Sequence, residues 1–380
     1  MNLGFHSRDT ISNGKLIRMS TSFARQIVQD ALRIRDQERV WVHTWDHSFD
    51  LAQEIVEQAQ LHGAAAVLSV TSESSVTHVL KKAPQEAVNT PIDHWLSGVS
   101  KSNVLIVLDG PEDPGIYKSA DKSKVLGVTS QITRLLGTAF FSQVRTLFVR
   151  TTGFTEKAAK TYGISQSNLM NESNRALSAN QGEIVELGQR FESLLSKYRE
   201  IHLSSSEGTD LRFRTRGKPR IDDGIIDQAD IQNKNVFAQL PAGTITIPID
   251  ESSAEGSVIF NLPRAYLGET IQNLRLDFKK GQLTHTRVLK GAKTIEQALH
   301  AGTEVKDRLT RLAFGINPRG STTFGQHTDT LIPGTITLGL GDNTYIGGRS
   351  QSNLVYDHTL NDAIVSIGPT AVIMEGKLNF

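Results

Sequence analysis

Leu240-Pro241-Ala242-Gly243, followed at once by Thr244-Ile245-Thr246-Ile247, is the stretch that decides the fold. A Pro–Gly turn breaks any helix, and the β-branched run behind it suits a strand. The same grammar recurs on both sides. Gly208-Thr209-Asp210-Leu211 and Ala254-Glu255-Gly256 accompany the runs Leu211–Thr215 and Ser257–Phe260. Gly315-Ile316-Asn317-Pro318, Gly334-Thr335 and Gly339-Leu340-Gly341-Asp342-Asn343 follow. Short apolar runs cut by Gly, Pro and Asp turns predict a C-terminal α+β domain rich in antiparallel strands, with one or two helices, one of which includes Ile295–Gly302.

Upstream the period changes. Phe23–Leu32 carries apolar residues at helical spacing, and Arg39–Trp45 reads as a strand. Phe49, Ala52, Ile55, Val56 and Ala59 share one face of a helix over Ser48–His62, with Ser48 placed to cap it and Gly63 to end it. Ala65–Val70, Asn103–Leu108 and Val144–Val149 are further apolar runs separated by helical sequence. This alternation predicts an α/β domain, a mostly parallel sheet with helices on both faces. A long helix from about Gln181 to Arg199 closes it. The expected division is an N-terminal extension over 1–22, an α/β domain over 23–200 and the second domain over 201–380, with the polar segment Ser165–Asn180 as hinge. Asp109–Pro114, just past the third strand, lies where such sheets bind ligands, although a surface turn is the simpler reading.

Composition narrows the function. The chain of 380 residues has 41 basic and 40 acidic side chains, so neither nucleic acid nor an anionic membrane is the expected partner. With no cysteine there are no disulfides, thiolate nucleophiles or cysteine-ligated metals. No run approaches the roughly 20 apolar residues of a membrane span, and the first twenty residues lack the apolar core of a secretory signal. A soluble, cytoplasmic protein is expected.

In order and spacing, these turns resemble the thermophilic-type metallo-aminopeptidases, the aminopeptidase T and aminopeptidase S family, over most of residues 25–376. The resemblance implies a two-metal peptidase and names its ligand positions. The first metal Glu follows the Gly of the Leu-Pro-x-Gly turn, and here that residue is Thr244. The second lies four residues before the Gly of Gly-x-Asn-Pro, where this chain has Arg311. A His two residues beyond Gly-Thr is replaced by Thr337. The closing His-x-Asp falls at Leu360 and Asp362, and a small shift would bring in His358. A related branch resembling the ring-opening dihydroxypyridine dioxygenases holds one iron by two His and an Asp, and its first His would also fall at Arg311.

A dinuclear site needs carboxylates and imidazoles converging on two cations. Hydroxyl groups and a guanidinium cannot do that, so no metal and no cofactor are expected. No P-loop is present, and Gly339–Gly348 opens no helix as a dinucleotide fingerprint must, so its glycines serve turns at the rim of the site. The alternative is a site rebuilt from His327, Asp329, Asp342, Asp357, His358 and Asp362, which spacing alone does not bring together. Arg311 reads two ways. It holds a ligand carboxylate bidentately, with Arg319 and Arg349 adding charge to the same mouth, or it forms an internal salt bridge to Asp362 or Glu255. Thr244, Thr337 and Glu255 complete the ligand-binding candidates, and Asp210 and Glu255 also read as framework acids. Tyr345, one residue from the family's catalytic Tyr, joins His358 and Asp362 as catalytic candidates, with a buried loop anchor as its plainer role.

Three functions remain. The first is a metal-independent protein that binds a peptide or small carboxylate-bearing ligand and presents or modifies it, by cyclisation or isomerisation, in a biosynthetic pathway. The second is a metallo-aminopeptidase with rearranged ligands, and the third a non-catalytic structural or regulatory dimer. The resemblance also implies a homodimer whose C-terminal domains enclose a cavity.

Overall fold

The computed structural model describes residues 21–108 and 110–380, so Asp109 and nearly all of the expected extension over 1–22 lie outside the described residues. The first sheet is parallel throughout, in the order β2-β1-β3-β4-β8. Its strands are β1 (Arg39–Trp45), β2 (Ala65–Thr71), β3 (Val104–Leu108), β4 (Arg145–Val149) and β8 (Phe237–Leu240). Alternation along β3 supplies both faces. Val104, Ile106 and Leu108 pack with Leu51, Ala52 and Ile55 of helix Phe49–Leu61, whereas Leu105 and Val107 meet Leu135, Leu136 and Ala139 of helix Lys122–Phe141.

Three local expectations change. Ser48 does not cap its helix, because its hydroxyl donates to the Trp45 carbonyl instead. The segment expected as hinge is helix Gln166–Leu177, capped by Ser165 and anchored by buried Leu169, Met170, Ala176 and Leu177. The domain break is also less clean than expected, because β8 returns from beyond residue 201 to pair with β4.

The second domain contains two antiparallel sheets. One comprises β5 (Glu200–Ser204), β6 (Asp210–Arg214), β10 (Glu255–Phe260), β11 (Arg264–Tyr266), β12 (Glu269–Lys279), β13 (Gln282–Lys290), β17 (Ile364–Ile367), β18 (Thr370–Met374) and β19 (Lys377–Leu378). The other, in the order β16-β15-β14-β9-β7, comprises β7 (Arg220–Asp222), β9 (Thr244–Pro248), β14 (Leu309–Gly315), β15 (Ile336–Gly341) and β16 (Val355–Leu360). One face of this smaller sheet shares a core with the larger one. Ile245, Ile247, Leu312, Phe314, Leu338 and Leu360 pack there with Leu211, Phe213, Val258 and Phe260. Its other face looks toward the first sheet, and only the turn 241–243 separates β8 in one sheet from β9 in the other. The expected helix around residue 295 is Ala292–Ala301. No described helix is long and apolar enough to cross a membrane.

Candidate functional site

Strand alternation builds the site. Side chains that point away from the shared core fall into cross-strand rows, because register sets opposite residues side by side. Arg220, Thr246, Ala313, Thr337 and Thr359 form one row across all five strands. Pro248, Arg311, Gly339 and Asp357 form the next, and Asp222 pairs with Thr244 at the sheet edge. This face lines a cavity of about 70 Å³. The first domain contributes Arg150, just past the carboxyl end of β4, and Phe237 and Gln239 of β8. Arg264, Asn235, His327 and Tyr345 complete much of the wall.

Arg311 is buried and forms an ion pair with Asp357, which is 22% exposed. Gly339 stands between them on β15. A Cβ there would lie 2.6 Å from an Arg311 guanidinium nitrogen and 2.5 Å from Asp357 Oδ1, so only glycine lets the two side chains meet over the strand. The guanidinium also donates to the Asp342 carbonyl (3.3 Å) and lies 5.2 Å from the Tyr345 ring centre. Burial lowers its pKa from the ordinary arginine value. The internal salt bridge read from the sequence is therefore present, but with Asp357 as partner instead of Asp362 or Glu255.

Other cations share the space. Arg220 donates to the carbonyls of Ile346 (2.9 Å) and Lys234 (2.6 Å) and stacks on Phe140. Arg150 stacks on Phe148. The Arg264 side chain makes no hydrogen bond or ion pair with any described residue, and its Nε is fully buried. Burial lowers its pKa, with the Arg150 charge acting in the same direction. His327 presents a buried, unpartnered Nε2 and is held neutral by burial, an effect that Arg150 and Arg264 reinforce. On the acidic side, burial pushes Asp222 up to about 8.

The structure sorts the sequence candidates. Thr244, Arg311, Thr337, Tyr345, His327 and Asp357 line the cavity together. Glu255 lies exposed on β10, where its carboxylate accepts the Lys280 N–H (2.9 Å), and Arg319 and Arg349 are exposed outside the lining. Asp210 is a framework acid that pairs with His202 (2.7 Å). His358 points into the core, where Tyr356 Oη and the Leu262 carbonyl occupy its two nitrogens at 2.7 and 2.8 Å, and burial drives its pKa down to about 3. Asp362 sits past the end of β16, exposed at φ +57°, and Leu360 belongs to the core. Of β16, Asp357 lines the cavity, and Thr359 on the same face of the sheet bonds to Thr337 (2.9 Å). Asp329 and Asp342 are turn acids, accepting N–H groups of Phe324 and Gly325 and of Thr344 and Ser352. Arg264, Asp222, Arg150, Arg220 and Asn235 carried no sequence signal, since each joins the site through long-range register.

A metal does not fit this donor set. The site face offers four threonines, the cations Arg220 and Arg311, and two carboxyl groups, Asp357 paired with Arg311 and Asp222 kept largely protonated by burial. Threonine hydroxyls are poor ligands, and the Arg311 cation occupies the centre. Among the described residues no group of three or more His, Asp or Glu side chains is poised to hold a metal.

The whole-chain comparisons agree with the framework of turns. AmpT from Thermus thermophilus is similar in structure at TM-score 0.70 and 14% identity, covering 95% of this chain and 98% of that one. The 2,5-dihydroxypyridine dioxygenase from Pseudomonas putida KT2440 is similar at TM-score 0.60 and 15% identity, with the same coverage. No curated protein matches the sequence. The model of the thermophilic metalloproteases (M29) matches residues 18–317, and the chain belongs to that family.

Proposed function

We propose that this chain is a metal-independent member of its family that binds a small carboxylate-bearing ligand, or the C-terminus of a peptide, and presents or modifies it without hydrolysis. The observation that carries this reading is Arg264, a half-buried side chain beside Arg150 and Arg311 whose Nε is fully buried and which has no partner among the described residues. A cation in that position is stabilised by an anion, and a carboxylate matches the planar fork of donors. Arg311, already neutralised by Asp357, is the lesser anchor. The cavity volume of about 70 Å³ has room for about five waters at roughly 15 Å³ each, which favours a ligand group of a few heavy atoms.

A rearranged metallo-aminopeptidase is disfavoured because His358 and Asp362 point elsewhere. A purely structural role leaves the cation-rich cavity without a purpose. In the favoured reading the protein is a homodimer, as the family resemblance suggests, and serves a biosynthetic step in the cytoplasm such as cyclisation or isomerisation. The test is calorimetric titration with acetate, propionate and butyrate. Arg264→Gln should weaken binding by about tenfold or more, the loss of one charge-assisted pair. Equal affinity in wild type and variant would sink the anchor.

A further inference from the structure

The cavity also holds groups whose chemistry is opposite to that of Arg264. Asp222 accepts the Gln239 N–H (3.1 Å) and the Gly224 N–H (3.3 Å) through Oδ1, which fixes its carboxyl group, while Oδ2 is buried without a partner. Asn235 also lines the cavity. Its Nδ2 donates to the Ile221 carbonyl (3.1 Å) and to Asp230 Oδ1 (2.9 Å). Those two acceptors determine the amide orientation and leave Asn235 Oδ1 buried and unpartnered. Two buried oxygens with no hydrogen bond from a described residue, in one cavity with a guanidinium that has no partner among the described residues, suit a ligand that donates at one end and accepts at the other.

We propose that the ligand is a small amino acid or an equivalent zwitterion, its ammonium held by Asp222 and Asn235 and its carboxylate by Arg264. This rests on the reading of Arg264 as carboxylate anchor and specifies the rest of the molecule. An ammonium carries three donors, enough for Asp222 Oδ2 and Asn235 Oδ1 together. A plain carboxylic acid leaves Asn235 Oδ1 unmet, at a cost of about 1–3 kcal/mol, and leaves Asp222 in its protonated form. Burial keeps Asp222 largely protonated near neutral pH. An arriving ammonium favours the carboxylate, so Asp222 loses its proton to solvent as the ion pair forms. The charged groups around it are Asp223 beside it, Arg220 on the same strand and Asp230 behind Asn235. The neighbouring strands present Gln239 and Thr244, which do not titrate, and helix Gln181–Lys197 packs on Ile221 of β7 through Gly188.

The experiment is calorimetric titration of the full chain at pH 7 with glycine, β-alanine and 4-aminobutyrate, each against acetate, propionate or butyrate of the same length. At least one amino acid should bind about tenfold or more tighter than its partner acid, and Asp222→Asn should abolish that preference. Wild type should release close to one proton on binding, read from heats in buffers of different ionisation enthalpy. Equal binding of the two series, a preference that survives Asp222→Asn, or no proton release overturns the zwitterion and leaves the Arg264 anchor standing. Absence of binding in both series overturns both. If Asp222→Asn fails to fold, the wild-type preference and proton release decide.

Discussion

Replacing Asp357 with Asn keeps the shape of the side chain and removes the charge that Arg311 faces. Arg311 is 4% exposed and cannot turn to water. Removing one member of a buried pair costs about 3–5 kcal/mol, because the other charge stays buried without compensation. Here the lower end applies, since Asp357 is partly exposed and the guanidinium keeps the Asp342 carbonyl and the Tyr345 ring, a contact of about 0.5–1 kcal/mol. The expected loss is about 3 kcal/mol. With a urea slope of about 3 kcal/mol/M, the unfolding midpoint falls by about 1 M. Replacing both partners with apolar groups, Arg311→Met with Asp357→Leu, should bring stability back to within about 1 kcal/mol of wild type. A loss below about 0.5 kcal/mol in Asp357→Asn, or a double variant no better than the single one, would refute the idea that this pair forms the structural centre of the cavity.

Gly339→Ala places a methyl group between Arg311 and Asp357 and should cost about 1–3 kcal/mol by denaturant unfolding, a loss that vanishes in the Arg311→Met, Asp357→Leu background. Arg264→Gln should leave the unfolding midpoint unchanged or raise it, since it removes a half-buried cation with no described partner, while ligand binding falls. For Asp222, the folded pKa of about 8 lies above the ordinary carboxylate value of 3.8. Its contribution is therefore fully present below 3.8 and is lost as pH rises toward 8. Between pH 5 and pH 7, wild type should lose about 3 kcal/mol relative to Asp222→Asn, measured as the change in their stability difference, and a constant difference would mean that Asp222 titrates normally.

Much of the fold is legible in the sequence because turns are local. Leu240–Gly243, Asn317-Pro318 and Gly341–Asn343 stand at strand ends, where backbone geometry restricts the choice of residue, and the parallel sheet follows from its apolar runs. The helix over 166–177 was readable too: Leu169, Met170, Ser173, Ala176 and Leu177 repeat at helical spacing behind a capping serine. What escapes is register over long separations. The crossing of β8 into the first sheet has no local mark. No turn residue pins β16, so counting from earlier motifs selected Leu360 and Asp362, whereas alternation along the strand turns Asp357 to the cavity. The substitutions at Thr244, Arg311 and Thr337 were visible from the sequence. That Arg311 is neutralised, and that Arg264 and Asp222 line one cavity, depends on partners that only the folded chain brings together.

The central claim is that the Arg311–Asp357 pair stands where the family resemblance places metal, so the protein works without one. Elemental mass spectrometry on untagged protein, as purified and after incubation with zinc, cobalt, manganese and anaerobic ferrous iron, tests it directly. The account predicts less than about a tenth of an equivalent of each metal after desalting. One or two tightly held equivalents that disappear in Asp357→Asn would contradict it.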